Sequence, residues 1–231
     1  MSNKSILTID NVSFSYGTTP ILRNFHLDVK ERDIISLIGP SGFGKTTLLQ
    51  LIAGDLKPQS GTIFKSGLWR RVFQKSSLFP WLTVEENIKL GLRGVESTKT
   101  LSFETIIEIL DLGRVLKNYP RQLSGGQGQR AEIARALIGR PDGLLLDEPF
   151  SSLDYLIRHQ TRNYLTEILK EFPMTMVLVT HDIPEAVAFT QKTYVMQGQP
   201  ACRLKEFINI GDQKELTEKI WNELEMKDET N

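Results

Sequence analysis

Gly39-Pro40-Ser41-Gly42-Phe43-Gly44-Lys45-Thr46-Thr47 sets four free residues between a glycine and Gly-Lys-Thr. The apolar run Ile34, Ile35, Leu37 and Ile38 precedes it and reads as a buried strand. Thr46, Thr47, Leu48, Leu49, Leu51 and Ile52 follow as the start of a buried helix. Strand, glycine-rich turn and helix N-terminus in that order are the context of a phosphate-binding loop. Glycines let the backbone fold around an anion with its N–H groups inward, and the helix end adds a positive dipole. Gly39, Pro40, Ser41, Gly42, Phe43, Gly44, Lys45, Thr46 and Thr47 are therefore candidate phosphate-binding residues. Lys45 supplies a mobile charge for the β- and γ-phosphates, and the Thr46 hydroxyl is placed for Mg2+. The bland alternative is an ordinary glycine turn between strand and helix.

Outward from this loop, composition narrows the possibilities. A chain of 231 residues holds one large α/β domain or two small ones. Twenty-eight basic side chains balance 28 acidic ones, so no overall basic surface points to nucleic acid. With Cys202 as its single cysteine, the chain has no intrachain disulfide, which suits a reducing compartment. No apolar stretch approaches the roughly 20 residues of a membrane-spanning helix. Lys4 is followed by alternation rather than by the apolar block of a signal peptide. Any membrane role is thus expected to come through a partner.

The rest of the chain alternates strand and helix patterns. Ile6 to Tyr16 and Ile21 to Val29 read as two half-buried strands around a Gly17–Pro20 turn, and Gly54 closes the first helix. Pro58 to Gly61 reads as a loop, and Val72-Phe73 as a short strand leading to Gln74. Thr83 with Glu86 makes a capping box, and Ser102 to Leu112 an amphipathic helix. Ser124 caps a helix to about Ile138, and Leu144 to Asp147 is a buried strand. A long helix from Leu153 to Phe172 follows, then a strand from Met174 to Thr180 and a short helix from Pro184 to Phe189. Two strands near Tyr194 and Leu204 and a terminal helix carrying Leu216, Ile220 and Leu224 complete the pattern. Such alternation predicts an α/β fold with a mainly parallel sheet and ligands at the strand C-terminal ends. Val84 to Tyr119, mostly helical, reads as an insertion.

Leu123-Ser124-Gly125-Gly126-Gln127 is a second helix start with glycines that allow close approach to an anion. Taken alone it is a flexible cap. Here it precedes Leu144-Leu145-Leu146-Asp147-Glu148, an apolar strand ending in paired carboxylates. With Tyr119-Pro120-Arg121-Gln122 before it and Gln129-Arg130 and Ile133-Ala134-Arg135-Ala136-Leu137 after it, the chain resembles ATP-binding-cassette (ABC) ATPases from Ile6 to about Met196. The resemblance implies a P-loop NTPase fold, with an N-terminal antiparallel β region. It also implies one domain over residues 1–231, with a helical subdomain of about 84–140 inserted in the core.

It further implies ATP and Mg2+ as ligands, with a role for each matching position. Tyr16 would stack on adenine, unless it is a strand-end core tyrosine. Gln74 would reach the metal and the attacking water, on a loop that meets a membrane partner. Asp147 would hold Mg2+, Glu148 would be the catalytic glutamate, and His181 of Thr180-His181-Asp182 would face the γ-phosphate. Ser152-Leu153-Asp154 would cross a dimer interface, and Ser124, Gly125, Gly126 and Gln127 would close over a triphosphate held by another copy. His26 and His159 lack such context and read as structural or surface residues. Adjacent carboxylates at a strand end point in different directions, so one can face metal and the other water.

Leu78-Phe79-Pro80-Trp81-Leu82-Thr83-Val84-Glu85-Glu86-Asn87-Ile88 resembles importer subunits, and Trp81 is most like the nitrate, sulfonate and taurine group. Phe79, Pro80 and Trp81 would help to grip a cytoplasmic helix of an integral membrane permease; for Trp81, packing within the insertion competes with this. The expectation is an ATP-hydrolysing importer subunit on the cytoplasmic face of the membrane, forming an ATP-dependent homodimer and serving an extracytoplasmic solute-binding protein indirectly. The alternative is a non-transport ABC ATPase acting on ribosomes or nucleic acid; a regulator without turnover is a third, disfavoured by the intact Glu148 and His181. Gly128, Glu132, Phe43 and a shortened segment between Gly61 and Gln74 depart from the family pattern. The chain closes soon after the resembling region, so no substantial C-terminal regulatory domain is expected.

Overall fold

The computed structural model describes residues 4–74, 77–95, 100–151 and 153–225. In chain order its elements begin with strands β1 (Ser5–Tyr16), β2 (Thr19–Lys30) and β3 (Ile34–Ile38), helix α1 (Lys45–Ala53), strands β4 (Ser60–Lys65) and β5 (Trp69–Val72), and helices α2 (Val84–Lys89), α3 (Phe103–Ile109) and α4 (Gly125–Leu137). They continue with β6 (Gly143–Asp147), α5 (Tyr155–Glu171), β7 (Thr175–Val179), α6 (Ile183–Phe189), β8 (Lys192–Gln197), β9 (Arg203–Ile208) and α7 (Gln213–Glu225). These form two compact units, Met1–Gly67 with Thr175–Asn231, and Leu68–Met174.

In the first unit, β1 lies between β2 and β4, antiparallel to both. Strand β3 lies between β7 and β8, parallel to both, and β9 adds antiparallel to β8. The central strands β3 and β7 are buried on both faces and mostly apolar, as a sheet covered on each side requires. Ile38, Ile183, Ala186, Val187, Val195 and Ile220 form one buried cluster, with Phe207, Leu216 and Leu224 packed against it. The four-residue spacing expected of the terminal helix thus faces this core. Ser60–Lys65 corrects the expected Pro58–Gly61 loop: the strand starts at Ser60 and pairs with β1. Most of its residues are exposed, so no apolar alternation announced it.

In the second unit, β5 pairs parallel with β6, which is buried along its length. Helix α2 opens with the Thr83–Glu86 capping box. Glu85 accepts from Lys89 at 2.5 Å and from Lys117 at 2.6 Å, and the two ammonium groups, Lys117 first, pull its carboxyl down to about 2. Asn87 is fully buried: its oxygen accepts the Phe79 N–H at 2.8 Å, and its amide donates to the carbonyls of Phe79, Leu82 and Thr83 at 3.1, 3.1 and 3.0 Å. One side chain thereby fixes the turn over 79–83 and holds Phe79 and Trp81 outward, 41% and 69% exposed. Their rings meet at 5.3 Å.

Candidate nucleotide site

The phosphate loop joins β3 to α1. Gly44 caps α1 with φ +83, and a Cβ there would stand 2.6 Å from Ile21 Cγ2, so both conformation and space demand glycine. Lys45 is 6% exposed, and its ammonium group donates to the carbonyls of Gly39 at 2.7 Å and Pro40 at 2.9 Å. The lysine is thus held inside the loop. Ser41, Gly42 and Thr46 are exposed, and Phe43 is half-buried. Tyr16 is half exposed rather than a core residue; its ring meets Phe14 edge-on at 5.0 Å, and its hydroxyl donates to Gln50 at 3.2 Å.

His181 is exposed at the end of the β7 segment. Around it, the Thr180 hydroxyl donates to the buried Glu185 at 2.5 Å and accepts the Asp182 N–H at 3.1 Å. Asp182 caps α6 by accepting the Glu185 N–H at 2.9 Å. These bonds pin the backbone on both sides of the histidine. Glu185 was not singled out from the sequence, although a glutamate three residues after an Asp cap was a legible signal.

In the second unit, Asp147 is the last residue of β6 and is 3% exposed. Its Oδ2 accepts from Arg71 at 2.6 Å, and both side chains are below 10% exposure. Glu148 follows with φ +45, an uncommon left-handed conformation for a side-chain-bearing residue. Its carbonyl is held by the Ser151 hydroxyl at 3.0 Å, and its carboxylate accepts from Gln74 at 3.1 Å. The two adjacent carboxylates therefore have different partners. Carboxylate, amide and hydroxyl oxygens are the hard donors Mg2+ prefers, and Mg2+ needs few of them because phosphates and waters complete its shell. In this unit Asp147 and the amide oxygen of Gln74 are donors of that kind, and in the first unit the Thr46 hydroxyl is another.

At the head of α4, the Ser124 hydroxyl accepts the Gln127 N–H at 3.3 Å, while the Gln127 amide oxygen accepts the Ser124 N–H at 2.9 Å. This capping box gives Gln127 a local task and leaves Ser124 a hydroxyl hydrogen to donate. A Cβ on Gly126 would stand 2.3 Å from Ile157 Cγ2, so glycine lets α4 start against α5. Gly128 is different: nothing lies within 4 Å of its Cβ position. Gly128→Ala is expected to stabilise the chain by up to about 1 kcal/mol, read as a raised urea midpoint at unchanged m-value. Glu132, oversized for its position by sequence, is 2% exposed and accepts the Ser77 N–H, tying α4 to the segment after Gln74. Ser152, of the expected interface loop, lies outside the described residues. His26 pairs with Asp10 at 3.1 Å on the surface, and His159 meets Asn163 at 3.2 Å, in keeping with the bland reading of both.

The family profile described as "ABC transporter" matches residues 22–151, more than half of the chain. The chain belongs to the ABC transporter family. An uncharacterised ABC transporter ATP-binding protein, YtlC of Bacillus subtilis, is 40% identical over 85% of this chain and 81% of its own length. The aliphatic sulfonates import ATP-binding protein SsuB of Bacillus licheniformis is 39% identical over 88% of this chain and 84% of its own length. Among solved structures, a dimeric ATP-binding cassette in a post-hydrolysis state with ADP and Pi superposes at a TM-score of 0.76, with 30% identity over 89% of this chain and 100% of that one. These ABC relatives bear out the expected fold class. Arg71, Asn87 and Glu185, by contrast, were found only through the structure.

Proposed function

We propose that this chain is the ATP-hydrolysing subunit of an importer, bound at the cytoplasmic face of a membrane to a separate integral permease. One observation carries the reading. Gln74, 3.1 Å from Glu148, sits only five residues before the outward-held Phe79 and seven before Trp81. A segment that senses nucleotide chemistry thus runs directly into an exposed aromatic pair of the kind that fills pockets in partners. Trp81 at 69% exposure is not packing material for its own subunit. The relatives named import ATP-binding proteins agree with this assignment. Among the described residues no helix is long and apolar enough to cross a membrane, so the solute path is assigned to the permease. An extracytoplasmic solute-binding protein would act through that permease, without touching this chain.

The residues divide the chemistry as follows. Tyr16 stacks on the base, and Lys45 exchanges its bonds to two loop carbonyls for phosphate oxygens. Thr46, Gln74 and Asp147 would hold Mg2+, which would neutralise phosphate charge there. Glu148 orients the attacking water and takes its proton late. Positioned charge carries most of the rate. His181 faces the γ-phosphate. Ser124, with the N–H groups at the head of α4, closes over the triphosphate held by a second copy, which makes ATP the ligand that selects the closed dimer.

The test is co-purification of the tagged chain from membranes. An integral permease is the expected partner; ribosomes or nucleic acid in its place would favour the non-transport reading. Trp81→Ala is expected to reduce permease capture about tenfold or more, the size of an interface hot spot, with unchanged melting temperature because the ring is exposed.

A further inference from the structure

We infer that Arg71 is a built-in counter-cation for Asp147 that weakens and tunes the hold on Mg2+. The inference rests on the reading of Asp147 as the metal's carboxylate. Arg71 lies in β5 opposite Leu145, two residues before the end of β6, and this parallel register brings the guanidinium to the strand end. It donates to Asp147 Oδ2 at 2.6 Å with 8% of its side chain exposed against 4% for the aspartate. The Phe73 ring, 4.7 Å from the guanidinium carbon, covers it further.

A guanidinium does not lose its proton in proteins, so this charge is permanent. Asp147 and Arg71 together are therefore neutral, and a divalent cation is drawn to a neutral pair less than to a bare carboxylate. A metal or its water must use the oxygen that Arg71 does not hold, or displace the guanidinium. Burial strengthens both effects, because little solvent screens them. Removing the arginine alone would take this counter-charge from a buried carboxylate, which costs stability in the metal-free protein. Mg2+ would then supply the missing positive charge, and its binding would tighten by linkage. Arg71 is thus a positioning residue that acts through Asp147, on the strand that leads into Gln74.

The experiment titrates MgCl2 into wild-type protein with a fluorescent ADP analogue, without turnover, alongside thermal melting in chelator. Arg71→Met is expected to melt lower in chelator and to reach half-maximal Mg2+-dependent binding at about tenfold less MgCl2, the size of outer-shell effects on metals. Arg71→Lys keeps the charge and is expected to stay near the wild-type midpoint. A folded Arg71→Met protein whose midpoint equals or exceeds that of the wild type would overturn the inference. Should that variant fail to fold, Arg71→Gln is judged by the same criterion. Asp147→Asn separates the two levels: an unchanged Mg2+ midpoint in that variant would remove the metal-ligand reading itself, whatever Arg71 does.

Discussion

Glu148→Gln is expected to bind ATP about as tightly as the parent chain while its turnover falls by roughly 10²- to 10⁴-fold, the range for loss of a general base. The substitution keeps size and shape. The amide oxygen of the new side chain still accepts from Gln74, which donates to Glu148 at 3.1 Å. The left-handed backbone at this position, φ +45, is retained because it depends on the bonds from Ser151 to the residue's carbonyl, not on the carboxylate. What disappears is a proton acceptor beside the attacking water. A nucleotide that is bound and not consumed should trap the ATP-selected dimer. Phosphate release and light scattering with MgATP measure the two effects. Turnover near the parent rate would remove Glu148 from its proposed role.

Lys45→Ala is expected to lose ATP affinity by about 100-fold, or about 2.8 kcal/mol, which one or two charge-assisted hydrogen bonds account for. The fold should survive, with a stability loss of about 1–3 kcal/mol from the bonds to Gly39 and Pro40, which hold the amine at 2.7 and 2.9 Å. Lys45→Arg is not a conservative control here, because a planar fork cannot occupy the point-charge position between two carbonyls. Equilibrium binding of a fluorescent ATP analogue, with urea unfolding beside it, separates lost recognition from lost structure.

Legibility in the sequence followed the physics of each element. The phosphate loop was plain because its glycines, lysine and flanking apolar runs are all local features. The helix starts at Thr83 and Ser124 were readable from their capping residues and that near Ser102 from apolar spacing, and each of the three hydroxyls accepts a backbone N–H. Strand β4 escaped because its partner β1 lies about 50 residues away and most of its side chains face solvent. Arg71 carried a usable signal, a charged residue in a strand bound for the interior, but its partner 76 positions on could be named only with the register in hand. Asn87 entered the sequence reading only as part of the Leu78–Ile88 string. Its four bonds to the preceding turn exist only in the folded chain.

The central proposal is that two copies share their nucleotides, the Ser124 cap of one completing the triphosphate site built on the other's Lys45. The most direct measurement is an experimental structure of the Glu148→Gln protein with MgATP. The account predicts the Ser124 hydroxyl within hydrogen-bonding reach of a γ-phosphate oxygen whose nucleotide is held by Lys45 of the second copy. ATP bound with Ser124 distant from every phosphate, in whatever assembly forms, would contradict it.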